Sequence, residues 1–141
     1  MKKIAVLVTA VGLLIGCSTN AVPPNQAIDA SPNRIFGHQG KTDEMAQLLV
    51  VRDSGMVGGG CYTAVFIDGG RVALLNAKEK ATFYIPPGEH IIGASFEGAG
   101  LCSMGKERQE RDFTFDKGKV IVLRVYIDAD ANIDIKPTTL Q

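Results

Sequence analysis

Eight short apolar runs, separated by turn-forming residues, constrain the fold of this chain more than any other feature. Most of the runs are rich in β-branched or aromatic residues, and glycine, proline or aspartate follows most of them. Regularly spaced strands with turn signals between them are typical of a sandwich or a barrel. We predict an all-β fold over residues 44–138, a small antiparallel β-sandwich of about seven or eight strands. The runs are 46–52, 61–67, 71–75, 81–85, 90–96, 108–115, 119–127 and 131–136.

The turns and the alternation within the runs support this fold. Asp68-Gly69-Gly70 after the second run is a strong hairpin signal. Pro86-Pro87 ends the fourth run, because two prolines cannot continue a central strand. In the longest run, 119–127, one alternate set of residues is wholly apolar and should face the core. That set is Ile121, Leu123, Val125 and Ile127.

The N-terminus has the parts of a secretory signal. Two lysines precede an apolar stretch, residues 4–15, and a small residue precedes Cys17. The stretch is about half of the roughly 20 residues that a membrane-spanning helix needs. Leu14-Ile15-Gly16-Cys17 resembles the lipobox of bacterial lipoproteins. The resemblance implies that residues 1–16 are a lipoprotein signal peptide and that Cys17 becomes the acylated N-terminus. An ordinary cleaved signal with an incidental cysteine is the alternative.

The analogy with bacterial lipoproteins also indicates which membrane would hold the protein. Ser18 stands where some enteric lipoproteins carry an aspartate that retains them in the inner membrane. The analogy implies a lipid-anchored protein of the cell envelope, held in the outer membrane and facing the periplasm. Several acyl chains anchor stably, since each buried methylene contributes about 0.8 kcal/mol.

Composition argues against several classes of partner. Without residues 1–16 the chain has 13 basic and 15 acidic side chains, and it has no tryptophan. A surface with this charge balance provides no long-range attraction to nucleic acid. Because the chain has few aromatic residues, no surface on which bases or sugars could stack is evident from the sequence. We expect no nucleic-acid partner, no cofactor and no small-molecule substrate.

Cys61 and Cys102 are the two cysteines that remain if Cys17 is acylated. An exported chain reaches an oxidising compartment, where a lone pair of thiols usually forms a disulfide. Closing a loop of about 40 residues stabilises the fold by on the order of 4 kcal/mol in the chain-entropy model. We predict a structural disulfide. The alternative, a reactive thiol, needs a nearby base, and none is adjacent in the sequence.

Residues 17–43 are predicted to be the acylated cysteine and a flexible tether. The segment is rich in proline and asparagine, has few apolar residues and shows no periodicity. Such a composition buries too little surface to offset the entropy of ordering. A flexible segment of this length reaches roughly 25–30 Å, enough to hold a domain clear of the lipid headgroups.

Between residues 65 and 95, one strand ends in Asp68-Gly69 and a later strand begins after Pro87-Gly88. Both motifs are typical of turns, in which glycine adopts a positive φ. The pattern resembles PEGA-type envelope β domains and a family of uncharacterised bacterial lipoproteins with the same lipobox and β layout. This resemblance implies a β-sandwich in a bacterial envelope and implies no reaction.

Two loops are candidate binding sites. The first, residues 55–60, contains Gly58, Gly59 and Gly60, which would let a partner approach closely. It lacks the Gly-Lys-Ser/Thr ending of a phosphate-binding loop, and a mobile hairpin loop or bulge is the alternative. The second, residues 101–105, contains Leu101.

Residues 128–134 alternate oxygen-bearing side chains as an EF-hand loop does at its start. Ile133 and Thr139 stand where that loop requires glycine and glutamate. We interpret the segment as a turn between two strands.

The two histidines, His38 and His90, fit neither a serine triad nor a zinc site. Glu107 and Glu110 lie among basic residues and indicate a solvated strand edge. We predict no catalytic residue, no metal ligand and no enzyme.

The sequence favours a membrane-anchored envelope lipoprotein whose non-catalytic β domain binds an envelope protein or peptidoglycan, or is structural. One alternative is an inhibitor of a periplasmic lytic enzyme, similar to lysozyme inhibitors, that presents one of the two loops to the enzyme's cleft. The other is an enzyme with a site assembled from scattered residues, which predicts a deep pocket lined by perturbed acids or by His90.

Overall fold

The computed structural model describes residues 18–104 and 107–141. Within these residues the chain forms nine strands and three short 3-10 helices. The strands are β1 (Ile28–Asp29), β2 (Ala46–Arg52), β3 (Tyr62–Ile67), β4 (Gly70–Leu75), β5 (Glu79–Ile85), β6 (Gly88–Glu97), β7 (Gln109–Phe115), β8 (Val120–Ile127) and β9 (Ile133–Pro137). The 3-10 helices are Pro24–Gln26, Pro32–Arg34 and Gly100–Met104.

The strands form two sheets that pack as a sandwich. The five-stranded sheet has the order β1-β5-β2-β8-β9, and the four-stranded sheet has the order β4-β3-β6-β7. The eight predicted runs correspond to β2–β9, with bounds that agree within two residues. The predicted all-β sandwich is confirmed, with one more strand than expected.

Two of the strand pairs are parallel. β2 pairs with β8 so that Leu48 lies opposite Ile121 and Val50 opposite Leu123, and the short β1 pairs with β5. The remaining pairs are antiparallel. The sandwich is therefore mainly, but not wholly, antiparallel.

The core lies between the sheets and is built from alternate residues of their strands. On β8, Leu123, Val125 and Ile127 are buried and Ile121 is partly buried, as the alternation predicts. Burying a large apolar side chain of this kind contributes about 1.5–3 kcal/mol. Both sheets contribute further fully buried side chains: Leu48, Val50, Phe83, Ile85, Val65, Leu75, Ile92 and Phe115.

Residues 18–42 pack against the sandwich, so the expected flexible tether is corrected for this segment. Ile28 pairs in register with Glu79 of β5, and Val22 and Ala30 are buried. The Arg34 guanidinium donates two hydrogen bonds, of 2.6 and 2.7 Å, to the Glu79 carboxylate. The segment is held by hydrogen bonds and by ion pairs such as Arg34–Glu79 and Asp29–Lys80, and such contacts produce no apolar periodicity in the sequence.

The predicted signal peptide, residues 1–16, and the predicted lipidation site, Cys17, lie outside the described residues. Among the residues that are described, no helix has the length and apolar character needed to cross a membrane.

Candidate functional site

One end of the sandwich brings together the first described residues and both predicted binding loops. We call this region the loop end and define it as residues 18–20, 53–61 and 98–104. A Cβ built on Gly55 would lie 3.2 Å from the Cα of Thr19, so the N-terminal residues lie against the first loop. The second loop is joined to the first by a disulfide bond.

The disulfide links Cys61 and Cys102, with a Cα–Cα distance of 5.4 Å. The predicted pairing is confirmed. Cys61 immediately precedes β3, and Cys102 lies in the 3-10 helix Gly100–Met104. The bond therefore fixes the second loop against the base of the first.

Thr19 is clamped between β8 and the segment that follows β2. Its N–H donates to the Ile127 carbonyl at 3.0 Å. Its Oγ1 accepts from the Ile127 N–H at 2.9 Å and donates to Oδ2 of Asp53 at 2.9 Å. Asn20 then exchanges two backbone hydrogen bonds with Ser54, of 2.8 and 3.0 Å. The chain is thus fixed to the sandwich from Thr19 onward.

Asp53 is a buried carboxylate, with 1% of its surface exposed. Arg124 of β8 pairs with it through two nitrogens, and the Nε–Oδ1 distance is 2.9 Å. The Arg124 guanidinium also lies 5.6 Å from the centre of the Tyr126 ring. A buried charge is tolerated when it is paired and hydrogen-bonded, and Asp53 meets both conditions through Arg124 and Thr19.

Arg52 supports the first loop from below. It ends the core-facing side of β2 and is fully buried. Its Nη1 donates to the carbonyls of Cys61, at 2.6 Å, and Leu75, at 2.7 Å, and its Nη2 donates to the Gly58 carbonyl at 2.7 Å. Burial lowers the pKa of Arg52 to about 10, so the side chain stays charged at neutral pH. The guanidinium ties the end of one sheet to loop and strand carbonyls of the other.

The first loop connects the two sheets, since β2 belongs to one and β3 to the other. The hairpin loop considered from the sequence is therefore not what forms. Gly58 has a φ of +65°, and a Cβ there would lie 2.5 Å from the Phe96 ring. Only glycine fits this position without displacing Phe96. Around Gly60, by contrast, a Cβ would meet no atom within 4 Å.

The loop end carries three exposed apolar side chains. Met56, Leu101 and Met104 are 97%, 85% and 77% exposed, the highest values among the large apolar side chains that the structure describes. Leu101 was a sequence-predicted candidate, whereas Met56 and Met104 were missed. Their only signal in the sequence is an apolar residue next to a glycine in a loop without charged residues.

A surface pocket of about 250 Å³ lies beside the β8–β9 turn and is lined in part by Glu107, Tyr126 and Asp134. Asp134 pairs with Arg111 of β7. Burial by itself raises the pKa of Asp134, but the Arg111 hydrogen bond and the Ile135 N–H lower it more, and the net pKa lies below the ordinary value. The pair links the two sheets across one side of the sandwich.

Asp128 organises the β8–β9 turn. Its Oδ1 accepts from the N–H groups of Asp130, at 2.9 Å, and Asn132, at 2.8 Å. Residues 128–132 form the turn expected between two strands, and Ile133 and Asp134 already belong to β9. In the described parts of the chain, no group of three or more His, Cys, Asp or Glu side chains is placed to hold a metal ion.

His90 lies near the start of β6, away from the loop end, and its ring nitrogens are engaged by neighbouring turns. Nδ1 is 2.6 Å from Oδ2 of Asp68, and Nε2 is 2.8 Å from the Pro86 carbonyl. The hydrogen bond with His90, followed by that from the Ile91 N–H, lowers the pKa of Asp68. These contacts join the β3–β4 turn to the turn that connects β5 with β6, and so link the two sheets.

The remaining sequence candidates have structural partners as well. The His38 carbonyl accepts from the Tyr84 N–H at 2.8 Å, which helps to fix the N-terminal segment to β5. Glu110 forms an ion pair with Arg108 at 2.9 Å on the exposed face of β7. The structure does not bring the two histidines or these glutamates into the loop end.

Comparison of the chain with models of known protein families gives no match, and a search of curated proteins gives none either. What the protein does is therefore inferred from its own residues.

Proposed function

We propose that this protein is an envelope lipoprotein, exported and held in a bilayer by an acylated Cys17. Its β domain acts without catalysis, by binding an envelope protein or peptidoglycan or by serving a structural role. The motif Leu14-Ile15-Gly16-Cys17 behind a basic and apolar leader is the observation that carries the proposal.

The clamp on Thr19 supports an anchor at Cys17. Only Ser18 separates this cysteine from the first clamped residue, and two residues of chain span at most about 7 Å. A lipid on Cys17 therefore holds the sandwich itself, rather than the far end of a long arm, beside the bilayer.

The disulfide between Cys61 and Cys102 supports export. Disulfides form and persist outside the reducing cytosol. An export signal and a disulfide at the loop end are both consistent with a protein located in the periplasm or at the cell surface.

The engagement of His90 supports a role without catalysis. Asp68 and the Pro86 carbonyl occupy both of its ring nitrogens. A general base needs a ring nitrogen within reach of a substrate proton, and this histidine instead fastens two turns together.

Metabolic labelling with radioactive palmitate tests the proposal. We expect label on the wild-type protein in the membrane fraction. Cys17→Ser should lose the label and leave that fraction. The matched control, Cys61→Ser with Cys102→Ser, removes the other two cysteines and should keep the label. An unlabelled, full-length wild-type protein in the cytosol would contradict the proposal.

A further inference from the structure

Three strongly exposed apolar side chains lie on the two loops of the loop end, and we call these three side chains the patch. Met56 lies in the first loop, and Leu101 and Met104 lie in the 3-10 helix that the Cys61–Cys102 bond fastens to it. Single exposed apolar residues are normal on protein surfaces. When the most exposed apolar side chains of a protein lie together on two covalently joined loops, they instead indicate an interaction surface.

The two loops carry no charged residue. Residues 55–61 and 98–104 consist only of glycine, alanine, serine, cysteine and large apolar residues. The buried charges beside these loops already have partners: Asp53 is paired with Arg124, and Arg52 donates to the carbonyls of Gly58 and Cys61. Contact with an apolar medium would therefore require no charged side chain of these loops to leave water, which is the costly step.

The loops are also held in place. Arg52 fixes the carbonyls of Gly58 and Cys61, Phe96 packs under Gly58, and the disulfide holds the second loop. A surface that is already ordered loses little conformational entropy when it binds.

The position of Thr19, two residues after Cys17, indicates what covers the patch. Thr19 lies against Gly55, the residue before Met56, and Cys17 precedes Thr19 by two residues, or at most about 7 Å of chain. Acyl chains on Cys17 would thus enter the bilayer next to the patch. From these positions we infer that the loop end docks on the lipid bilayer, with Met56, Leu101 and Met104 in the interface between headgroups and acyl chains. The inference rests on the proposed function, since the acyl anchor brings the bilayer to this end.

The absence of tryptophan from the chain allows a direct test. Leu101→Trp places the variant's single tryptophan in the patch, at a side chain too exposed to disturb the core. Val120→Trp is the matched control. Val120 is also exposed, at 56%, and it begins β8, whose other end is clamped to Thr19. Eight residues of strand put it roughly 23 Å from the loop end.

Both variants are prepared as full-length, acylated protein and reconstituted into phosphatidylcholine vesicles with or without bromine on the acyl chains. We expect the Leu101→Trp emission to shift to shorter wavelength and to be quenched by the brominated lipid, as for a side chain about 5–10 Å into the interface. Val120→Trp should show neither effect. Adding Met56→Gln and Met104→Gln to Leu101→Trp should reduce the quenching.

The outcomes separate this inference from the proposed function. Protein that floats with the vesicles while Leu101→Trp stays unquenched would overturn docking and leave the acyl anchor intact. That result is also expected if a protein partner, and not lipid, covers the patch. Protein that fails to float would instead overturn the anchor. An intact disulfide in each variant, measured by thiol titration, shows that the loop end has formed.

Discussion

At the scale of single residues, adjacent charged side chains hold the loop end together. Arg52 reaches two carbonyls of the first loop and one of β4 in the opposite sheet, and Asp53 joins Thr19 to Arg124. The sequence places both where a strand ends, which ordinarily indicates exposure. Their burial could not be predicted, because it depends on carbonyls and a cation from segments distant in the chain.

Replacing Arg52 tests its role as a support. In Arg52→Met the carbonyls of Gly58, Cys61 and Leu75 lose their donor, and we expect the free energy of unfolding to fall by on the order of 3 kcal/mol. Urea unfolding at neutral pH measures the change. Arg71→Met is the matched control, since Arg71 forms an exposed ion pair with Glu97 and should cost less than about 1 kcal/mol. Equal losses in the two variants would contradict the role assigned to Arg52.

Gly58 tests the packing beneath the first loop. Alanine there must adopt a positive φ and displace the Phe96 ring, so Gly58→Ala should destabilise the protein by about 1–3 kcal/mol. Gly60→Ala has open space around its Cβ and should change stability by no more than about 0.5 kcal/mol. Thermal unfolding of the two variants gives the comparison, and a stable Gly58→Ala protein would show that the loop is not packed as described.

At the scale of elements, the strands were predictable and the N-terminal segment was not. β8 could be placed from its apolar alternation, and the end of β5 from Pro86-Pro87. Residues 18–42 were expected to be flexible because few of them are apolar. They are ordered by backbone pairing at Ile28 and by the Arg34–Glu79 ion pair, contacts that need a partner strand whose position the sequence does not reveal.

The Arg34–Glu79 pair makes the docking of this segment pH-dependent. Burial raises the pKa of Glu79, but the hydrogen bonds from Arg34 and from the Asn76 N–H lower it more, so the pKa in the folded protein lies below its ordinary value of 4.5. The stabilisation is therefore complete above about pH 5 and is lost as the pH falls through the folded pKa.

Glu79→Gln isolates this contribution. Asp68 and Asp134 titrate in both proteins, so the difference in unfolding free energy between wild type and variant reports on residue 79. We expect the wild type to be more stable at pH 7 and the difference to shrink as the pH is lowered from 5 to about 3. Urea unfolding across this range measures it. A difference that stays constant with pH would contradict the ion pair.

At the scale of the whole molecule, the proposed lipid anchor on Cys17 would be joined directly to a rigid sandwich. The parallel pairing of β2 with β8 depends on contacts between residues about seventy positions apart, so strand order could not be predicted from local patterns. That pairing also places Ile127, the end of β8, where Thr19 binds it. The position of Thr19 beside the first exposed loop thus follows from the topology.

Neutron reflectometry of the protein in a supported phosphatidylcholine bilayer tests most directly the proposal that an acylated Cys17 holds the sandwich on the bilayer. We expect a protein layer in contact with the headgroups, with no layer of water between them. A water-filled gap of roughly 25–30 Å, the reach of a flexible tether of this length, or the absence of a bound protein layer, would contradict it.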